Sequence, residues 1–153
     1  MKNRPITIRE QQEAIIRRCQ FCNIAMIGLD RRPYVIPMNF GFDGEYVYFH
    51  GSAKGRKVDC LKNNPAVCIS FSTDHELRYV NEDVACSWSM RYRSVLVHGD
   101  AEFIDDPEEK IRCLNLVMAQ YASRKFEYSA PAVREVMVFR VSAEKMEGRG
   151  YGY

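Results

Sequence analysis

The residues best suited to chemistry lie in one segment, HGSAKGRK, which runs from His50 to Lys57 between a predicted strand and a predicted helix. A helix N-terminus presents unpaired N–H groups and a partial positive charge, and glycines let the backbone approach an anion closely. Arg56 can grip phosphate oxygens with its planar guanidinium, while Lys57 adds a mobile charge. The pattern predicts a site for a terminal phosphate. A solvated helix start with ordinary surface charges is the alternative that the spacing leaves open.

This segment differs from the common nucleotide-binding motifs. No Gly-Lys-Ser/Thr follows its glycines, so no hydroxyl is placed to hold magnesium, and the GxGxxG pattern is absent. His50 ends the predicted strand, where an imidazole can meet a ligand bound beside the helix, although single histidines on strands more often pack against the core. His75 and His98 complete no metal-ligand spacing with it. The sequence therefore predicts no metal site.

Six cysteines raise the question of redox or metal chemistry. Cys19 and Cys22 have the spacing of half a zinc site or of a redox dithiol, but no second CxxC or HxxxH follows, which favours inert thiols. The other four stand in apolar stretches and are predicted to be small core residues: Cys60, Cys68, Cys86 and Cys113. A serine hydrolase is disfavoured because the G-x-S-x-G elbow is absent.

The composition indicates a globular protein that folds as one domain over residues 1–153. Charged residues make up 27% and hydrophobic residues 46% of the chain, which excludes disorder and coiled coil. A net charge of +2 is too small for a typical nucleic-acid binder. The charged start of the chain and the lack of a long apolar run predict neither export nor membrane insertion, so the cytoplasm is the expected location.

Hydrophobic periodicity predicts a mainly β fold with flanking helices. The capping box from Thr7 to Glu10 predicts a first helix over about 8–19, and Asp106-Pro107 begins a later one. Asp43-Gly44 predicts a two-residue hairpin, and Gly99 a bend within a long strand. The predicted strands are 23–29, 34–42, 45–50, 66–72, 93–104 and 136–141, with weaker ones at 85–88 and 145–148 and a helix over 52–63. This order favours an antiparallel barrel with helices packed outside.

Four motifs in the same order resemble a known family. They are PYVIPMNF at 33–40, YFHGS at 48–52, KGRK at 54–57 and YRSVLVHG at 92–99. Together they resemble the pyridoxamine-5′-phosphate-oxidase-like FMN-binding split barrels, and within these the nitroimidazole-resistance branch, over about residues 8 to 148. The resemblance implies a six-stranded antiparallel Greek-key split β-barrel that works as a homodimer with FMN at the subunit interface.

The resemblance also implies which residues bind FMN. The phosphate is expected at Ser52, Lys54, Gly55, Arg56 and Lys57. The isoalloxazine ring is expected beside Ile36, Pro37, Met38 and Asn39. His50 and Gly51 are expected at the ring and ribityl side, with His50 facing the substrate as the catalytic residue. Arg93 and Ser94 match a strand that the partner subunit often contributes.

The expected activity is that of an FMN-dependent oxidoreductase that reduces nitroaromatic compounds by hydride transfer from reduced flavin. NAD(P)H is expected to bind transiently in the same cleft, because the sequence has no separate nucleotide-binding motif. Oxidation of vitamin B6 is disfavoured, since Gly148-Arg149-Gly150-Tyr151 lacks the histidine of the true oxidases. A flavin-binding module without turnover, and a split barrel that binds deazaflavin or haem, are the alternatives.

Overall fold

A nine-stranded antiparallel sheet forms the body of the protein in the computed structural model, which describes residues 2–153. The strands are β1 (Asn3–Ile6), β2 (Cys22–Ile27), β3 (Pro33–Met38), β4 (Gly41–Phe42), β5 (Tyr46–Ser52), β6 (Ala66–Arg78), β7 (Ser89–Ile104), β8 (Val136–Ser142) and β9 (Lys145–Tyr151). The helices are α1 (Arg9–Arg18), α2 (Arg56–Asn63), α3 (Pro107–Ala119) and α4 (Ala130–Glu135). The predicted fold class, mainly β with flanking helices, is confirmed.

The strands follow the order β3-β2-β6-β7-β8-β5-β4, and β9 pairs with both β7 and β1. The 16-residue strand β7 joins the two halves of the sheet, because its first part pairs with β6 and β9 and its last part with β8. Gly99 lies where the pairing changes, and a Cβ atom there would lie 2.9 Å from Val141 Cγ1. The predicted bend at Gly99 thus reflects a close approach of β8.

Two apolar clusters hold the elements together. The larger cluster fills the inside of the barrel with alternate residues of the strands, Val47 and Phe49 of β5 among them, and with Ile15 and Ile16 of α1. The smaller cluster packs Tyr48 against α3 on the other face of β5. Because the side chains of a strand alternate between faces, this arrangement leaves His50 on the α3 side of β5, at its exposed end.

Several predicted boundaries were wrong. The capping box does not form: Ile8 precedes α1 and no side chain caps the helix, because the preceding residues are held in β1 by pairing with β9. The helix predicted over 52–63 begins only at Arg56. β6 continues to Arg78, and the predicted strand at 85–88 is a 3-10 turn, Ala85–Ser87. The predicted strand 34–42 is divided into β3 and β4. This division and the unpredicted β1 account for most of the difference between the nine strands observed and the six expected.

Other local signals were correct. Asp106 caps α3 by accepting a hydrogen bond from the Glu109 N–H at 3.0 Å. A hairpin turn forms at Asp43-Gly44, but it is longer than the predicted two residues, since the register pairs Phe42 with Val47. Only Gly44 in it has a positive φ, of 97°. The Asp43 carboxylate instead accepts bonds from the N–H groups of Glu45 and Tyr46. The turn is therefore stabilised by the aspartate side chain as well as by the glycine.

Gly41 offers a direct test of how β4 packs against α3. A Cβ atom at Gly41 would lie 2.6 Å from Leu116 C and from Val117 N, both backbone atoms of α3. We expect Gly41→Ala to lower the free energy of unfolding by about 1–3 kcal/mol, as measured by urea denaturation, because the helix must shift to make room. Gly150→Ala is the matched control, since its nearest atom is 3.6 Å away. Equal losses in both variants would contradict the packing argument.

Candidate functional site

The start of α2 is open and uncapped. Gly55 occupies the N-cap position with φ of 116°, and no side chain accepts a bond from the first turn. The first intrahelical bond runs from the Asp59 N–H to the Gly55 carbonyl at 3.1 Å, so the N–H groups before Asp59 have no helical acceptor. Apart from its own neighbours in the chain, no heavy atom lies within 4 Å of a Cβ built at Gly55. An anion can therefore approach these N–H groups without obstruction.

Three cations surround this helix start, and no carboxylate neutralises them. Within residues 2–153, no carboxylate oxygen lies within 4.0 Å of the charged nitrogens of Lys54, Arg56 or Lys57. The Arg56 guanidinium lies over the Tyr34 ring, 4.1 Å from its centroid. Such stacking limits the orientations of the guanidinium and leaves its edge free to bind an anion. The donor set fits a phosphate.

Gly51 makes room for one of these cations. A Cβ atom at Gly51 would lie 2.8 Å from the Nζ atom of Lys57, so a larger residue would displace the ammonium. Ser52 accepts a bond from the Lys54 N–H at 3.2 Å, which shapes the loop before α2. The predicted phosphate segment is therefore brought together, and Gly51 has a specific packing role within it.

The electrostatics of His50 and Lys57 reflect their proximity. Partial burial lowers the pKa of Lys57, and partial burial together with the charge on Lys57 lowers the pKa of His50 below its usual 6.5. Both shifts disfavour the cationic form; burial alone causes the shift of Lys57, and the charge of Lys57 adds to burial at His50. A bound anion would offset this repulsion, which makes the cluster a better match to phosphate than to a neutral ligand.

Of the four residues predicted beside the flavin ring, three lie in β3 and Asn39 follows it. Their side chains do not share one face. Met38 is buried and Ile36 packs against the barrel core, whereas Pro37 and Asn39 are exposed. This division follows from the alternation of side chains along a strand. Only Pro37 and Asn39 therefore present side chains to a ligand on the outer face, and Ile36 and Met38 can contribute there by their backbone.

Arg93 and Ser94 lie away from the start of α2. Arg56 stacks on Tyr34, and the strand register across β2 and β6 places Tyr34 level with Gly99 of β7. Arg93 lies six residues, about 20 Å, further along β7. Its guanidinium donates to Asp74 at 2.8 Å and lies over the Tyr153 ring. One chain therefore does not bring Arg93 into contact with the phosphate segment, and only a second chain could do so.

The cysteines lack the features of a reactive site. Cys19 and Cys22 are buried, and burial raises the pKa of both thiols. No group of three or more metal-ligating side chains is found in the part of the chain that the structure describes. Cys60 and Cys113 are core residues as predicted, whereas Cys68 is half-buried and Cys86 is exposed, which corrects the prediction for these two.

Two features of the site gave no clear signal in the sequence. Tyr34 supports Arg56 only because β3 and α2 meet in space. Tyr48 donates to the Asp43 carboxylate at 2.5 Å and accepts from Arg112 at 3.4 Å, which anchors β5 to α3. Burial and the bond to Asp43 raise the pKa of Tyr48 to about 12, so Tyr48 remains a neutral structural group. Both contacts join residues whose relation depends on the fold.

The start of α2 lies outside the larger cavities, whereas Arg93 lines a cavity of about 510 Å³ and Ser94 one of about 340 Å³. A cavity of about 730 Å³ lies between the end of α2 at Asn63 and the turn that joins β2 to β3, and none of the predicted site residues lines it. The α2 start is instead an open surface of the single chain. Within residues 2–153, no helix is long and apolar enough to span a membrane.

Solved structures with the same fold include a candidate 5-nitroimidazole antibiotic resistance protein from Bacteroides thetaiotaomicron, at 39% identity and a TM-score of 0.88 over 97% of this chain and 87% of the other. An FAD and haem binding protein from Mycobacterium smegmatis matches at 16% identity and 0.87, over 97% and 74%. The flavocytochrome Anf3 from Azotobacter vinelandii matches at 22% and 0.83, over 99% and 70%.

The matches to the FAD and haem binding protein and to the flavocytochrome, both below 25% identity, show a shared fold alone. No curated protein has a significant match to this chain. The family model described as pyridoxamine 5′-phosphate oxidase matches residues 9–150, which is nearly the whole chain. This match and the 39% identical structure agree with the resemblance seen in the four motifs. The chain belongs to the pyridoxamine 5′-phosphate oxidase family.

Proposed function

We propose that the protein is an FMN-dependent oxidoreductase that reduces nitroaromatic compounds of the 5-nitroimidazole type. The observation that carries the proposal is the cluster of Lys54, Arg56 and Lys57 at the uncapped start of α2, where no carboxylate neutralises them. The 39% identity to a candidate 5-nitroimidazole resistance protein supports the substrate class. The neighbours named as flavin-binding proteins support a flavin as the cofactor.

The chain's own residues would bind and orient the cofactor. Arg56 and Lys57, with the N–H groups of the first turn, bind the phosphate, and Tyr34 holds the Arg56 guanidinium in place. The backbone of residues 36–39 borders the ring system, because β3 is an edge strand and Arg56 stacks on its Tyr34. When bound, reduced FMN supplies a hydride, which with one proton converts a nitro group to a nitroso group and water. NAD(P)H, bound transiently in the same cleft, is the proposed source of electrons.

His50 is placed to serve the substrate rather than the phosphate. Its side chain reaches solvent at the end of β5, on the strand face of Tyr48, and the adjacent Lys57 lowers its pKa. At pH 7 the imidazole is therefore mainly neutral and can exchange protons with solvent. In the proposed reaction, protonated His50 donates the proton that the departing oxygen requires.

We expect the protein to be a homodimer in which a second subunit completes the site. A single chain leaves the α2 start open and Arg93 and Ser94 far from it, so a partner must supply them if they contact the cofactor. A two-fold partner would also cover exposed sheet surface. Light scattering should give about twice the chain mass of 17.8 kDa. A monomer that binds FMN tightly would contradict a shared site.

The function can be tested by following the flavin spectrum. The purified protein is loaded with FMN, reduced by NAD(P)H without oxygen, and mixed with a 5-nitroimidazole. The proposal predicts loss of the flavin absorbance in the first step and its full return in the second, with nitroso product formed. Return of the absorbance only on admission of air would indicate a flavin module without this turnover. A haem spectrum, or selective binding of a deazaflavin, would replace FMN as the cofactor.

A further inference from the structure

A second cationic site lies next to the start of α2. A cavity of about 420 Å³ opens between α2, α3, the end of α4 and the beginning of β8. Its volume falls within the range of roughly 300–1,000 Å³ that is usual for small-molecule sites. Apolar and charged side chains both line it, among them Lys62, Phe103, Asp105, Arg134, Val136 and Met137. This mixture suits a ligand with a flat apolar part and an anionic part.

The charged lining is predominantly positive. Within residues 2–153, neither Lys62 nor Arg134 has a carboxylate oxygen within 4.0 Å of its charged nitrogens, so both are available to bind an anion. Lys110, which is only 8% exposed, adds a third positive charge to the wall. Asp105 is the one carboxylate among the described lining residues.

The position of Lys110 is fixed by backbone acceptors. Its ammonium donates to the carbonyls of Val133 at 3.1 Å, Arg134 at 3.4 Å and Val136 at 2.8 Å. All three of its donors are therefore used, and its charge acts on the cavity through the field alone. The same bonds hold the end of α4, and with it Arg134, against α3. The cationic wall is thus built into the fold.

The cavity shares a wall with the phosphate segment. Met137 pairs with Gly51 across β5 and β8, and a Cβ atom at Gly51 would lie 3.8 Å from Met137 Cε and 2.8 Å from Lys57 Nζ. Ala53, in the loop that leads into α2, also lines the cavity. A ligand with two linked phosphates could therefore reach from the α2 start to Lys62 and Arg134.

We propose that this cavity binds the adenosine phosphate half of a dinucleotide whose other phosphate lies at the start of α2. Phe103, Val136 and Met137 provide an apolar surface for the base. Asp105 accepts a hydrogen bond from a ribose hydroxyl, while Lys62 and Arg134 bind the phosphate. FAD and NAD(P)H share this half, so the same chemistry could serve the resident flavin or the electron donor. The inference rests on the proposed function for the other phosphate.

The test compares dinucleotides with the corresponding mononucleotides. FMN, FAD, nicotinamide mononucleotide, NAD⁺ and AMP are titrated by calorimetry into the full chain and into Arg134→Glu. We expect FAD to bind at least tenfold tighter than FMN, or NAD⁺ at least tenfold tighter than its mononucleotide, and Arg134→Glu to abolish the difference. AMP should bind to the wild-type chain and lose its affinity in the variant. Arg32→Glu, at an exposed turn, is the matched control and should change none of these values.

The possible outcomes distinguish a failure of the cavity proposal from a failure of the proposed function. A gain for FAD assigns the cavity to the resident flavin, and a gain for NAD⁺ assigns it to the donor. Dinucleotide affinities within twofold of the mononucleotide values, or a gain that persists in Arg134→Glu, would overturn the cavity proposal while FMN binding stands. AMP binding that depends on Arg134, in a chain that binds no FMN, would support the cavity and reject FMN as the cofactor.

Discussion

Replacement of His50 by alanine should leave FMN bound and slow the reduction of a nitroaromatic substrate by about 10²–10⁴-fold, the usual contribution of a general acid–base group. The expected separation follows from position: His50 lies at the exposed end of β5, whereas the phosphate contacts come from the start of α2. The rate is measured as single-turnover reoxidation of the reduced flavin, and FMN content and melting temperature are measured on the same preparation.

The control variant is His75→Ala. His75 is also exposed and bonds Ser72 at 2.6 Å, but it lies on β6, outside the α2 segment. It should keep full turnover. A purely packing role for His50 predicts a lower melting temperature with normal turnover in the folded fraction. Full turnover of His50→Ala with intact FMN would remove His50 from the mechanism.

The pH dependence gives an independent check on His50. Its pKa is lowered below 6.5 by partial burial and by Lys57, so the imidazolium needed as a proton donor forms only on acidification below that value. We therefore expect the single-turnover rate to rise as the pH falls through this lowered pKa. The rise should be absent in His50→Ala. A wild-type rate that decreases over the same interval would show that the neutral imidazole is the active form.

The same shift has a consequence for stability, with its sign fixed by linkage. The unfolded chain binds a proton at His50 more readily than the folded chain does, so stability falls as the pH drops from about 6.5 toward the lowered folded value. Below the folded pKa both states are protonated and the loss is complete. The loss of melting temperature on acidification that is due to His50 should disappear in His50→Ala and persist in His75→Ala.

Local patterns predicted the parts of the fold that depend on neighbouring residues. Alternation along β5 places Val47 and Phe49 on one face, which is the barrel interior, and Tyr48 on the opposite face. Asp106 capped α3 as predicted, because the cap needs only an acceptor and the N–H of Glu109 three residues later. Such signals are independent of where the rest of the chain lies.

The failures involve contacts between distant parts of the chain. Thr7 matches a capping box, but pairing of Asn3–Ile6 with β9 sets the backbone that enters α1, and no cap bond forms. β6 and β7 remain paired beyond their predicted ends, as far as Arg78 and Ser89. The register shifts between Thr73 and Glu76. The periodicity of a single strand does not show how far its partner accompanies it.

The candidate site divides in the same way. The phosphate segment could be predicted because its helix start, glycines and cations are contiguous from Gly51 to Lys57. The stacking of Arg56 on Tyr34 could not, since it requires β3 and α2 to pack together. The contribution of Arg93 depends on a second subunit and remains a prediction.

Replacement of Arg56 by alanine should weaken FMN binding by at least about tenfold, and Lys57→Ala should do so more mildly. Each change removes a charge-assisted contact worth about 1.5–3 kcal/mol. Arg56 should have the larger effect because stacking on Tyr34 orients its planar guanidinium, whereas Lys57 is a single mobile charge. Binding is measured by quenching of flavin fluorescence at constant ionic strength, since exposed charges are screened by salt.

Riboflavin provides the decisive comparison for Arg56, because it has the same ring and ribityl chain as FMN without the phosphate. Its affinity should change little in Arg56→Ala, and the wild-type preference for FMN over riboflavin should shrink by the same factor as FMN binding weakens. Tyr34→Leu should reproduce part of the loss, since Arg56 would keep its charge but lose the ring that holds it. Equal losses for FMN and riboflavin in Arg56→Ala would show that Arg56 supports the fold or the ring pocket, and the phosphate would have to be assigned elsewhere.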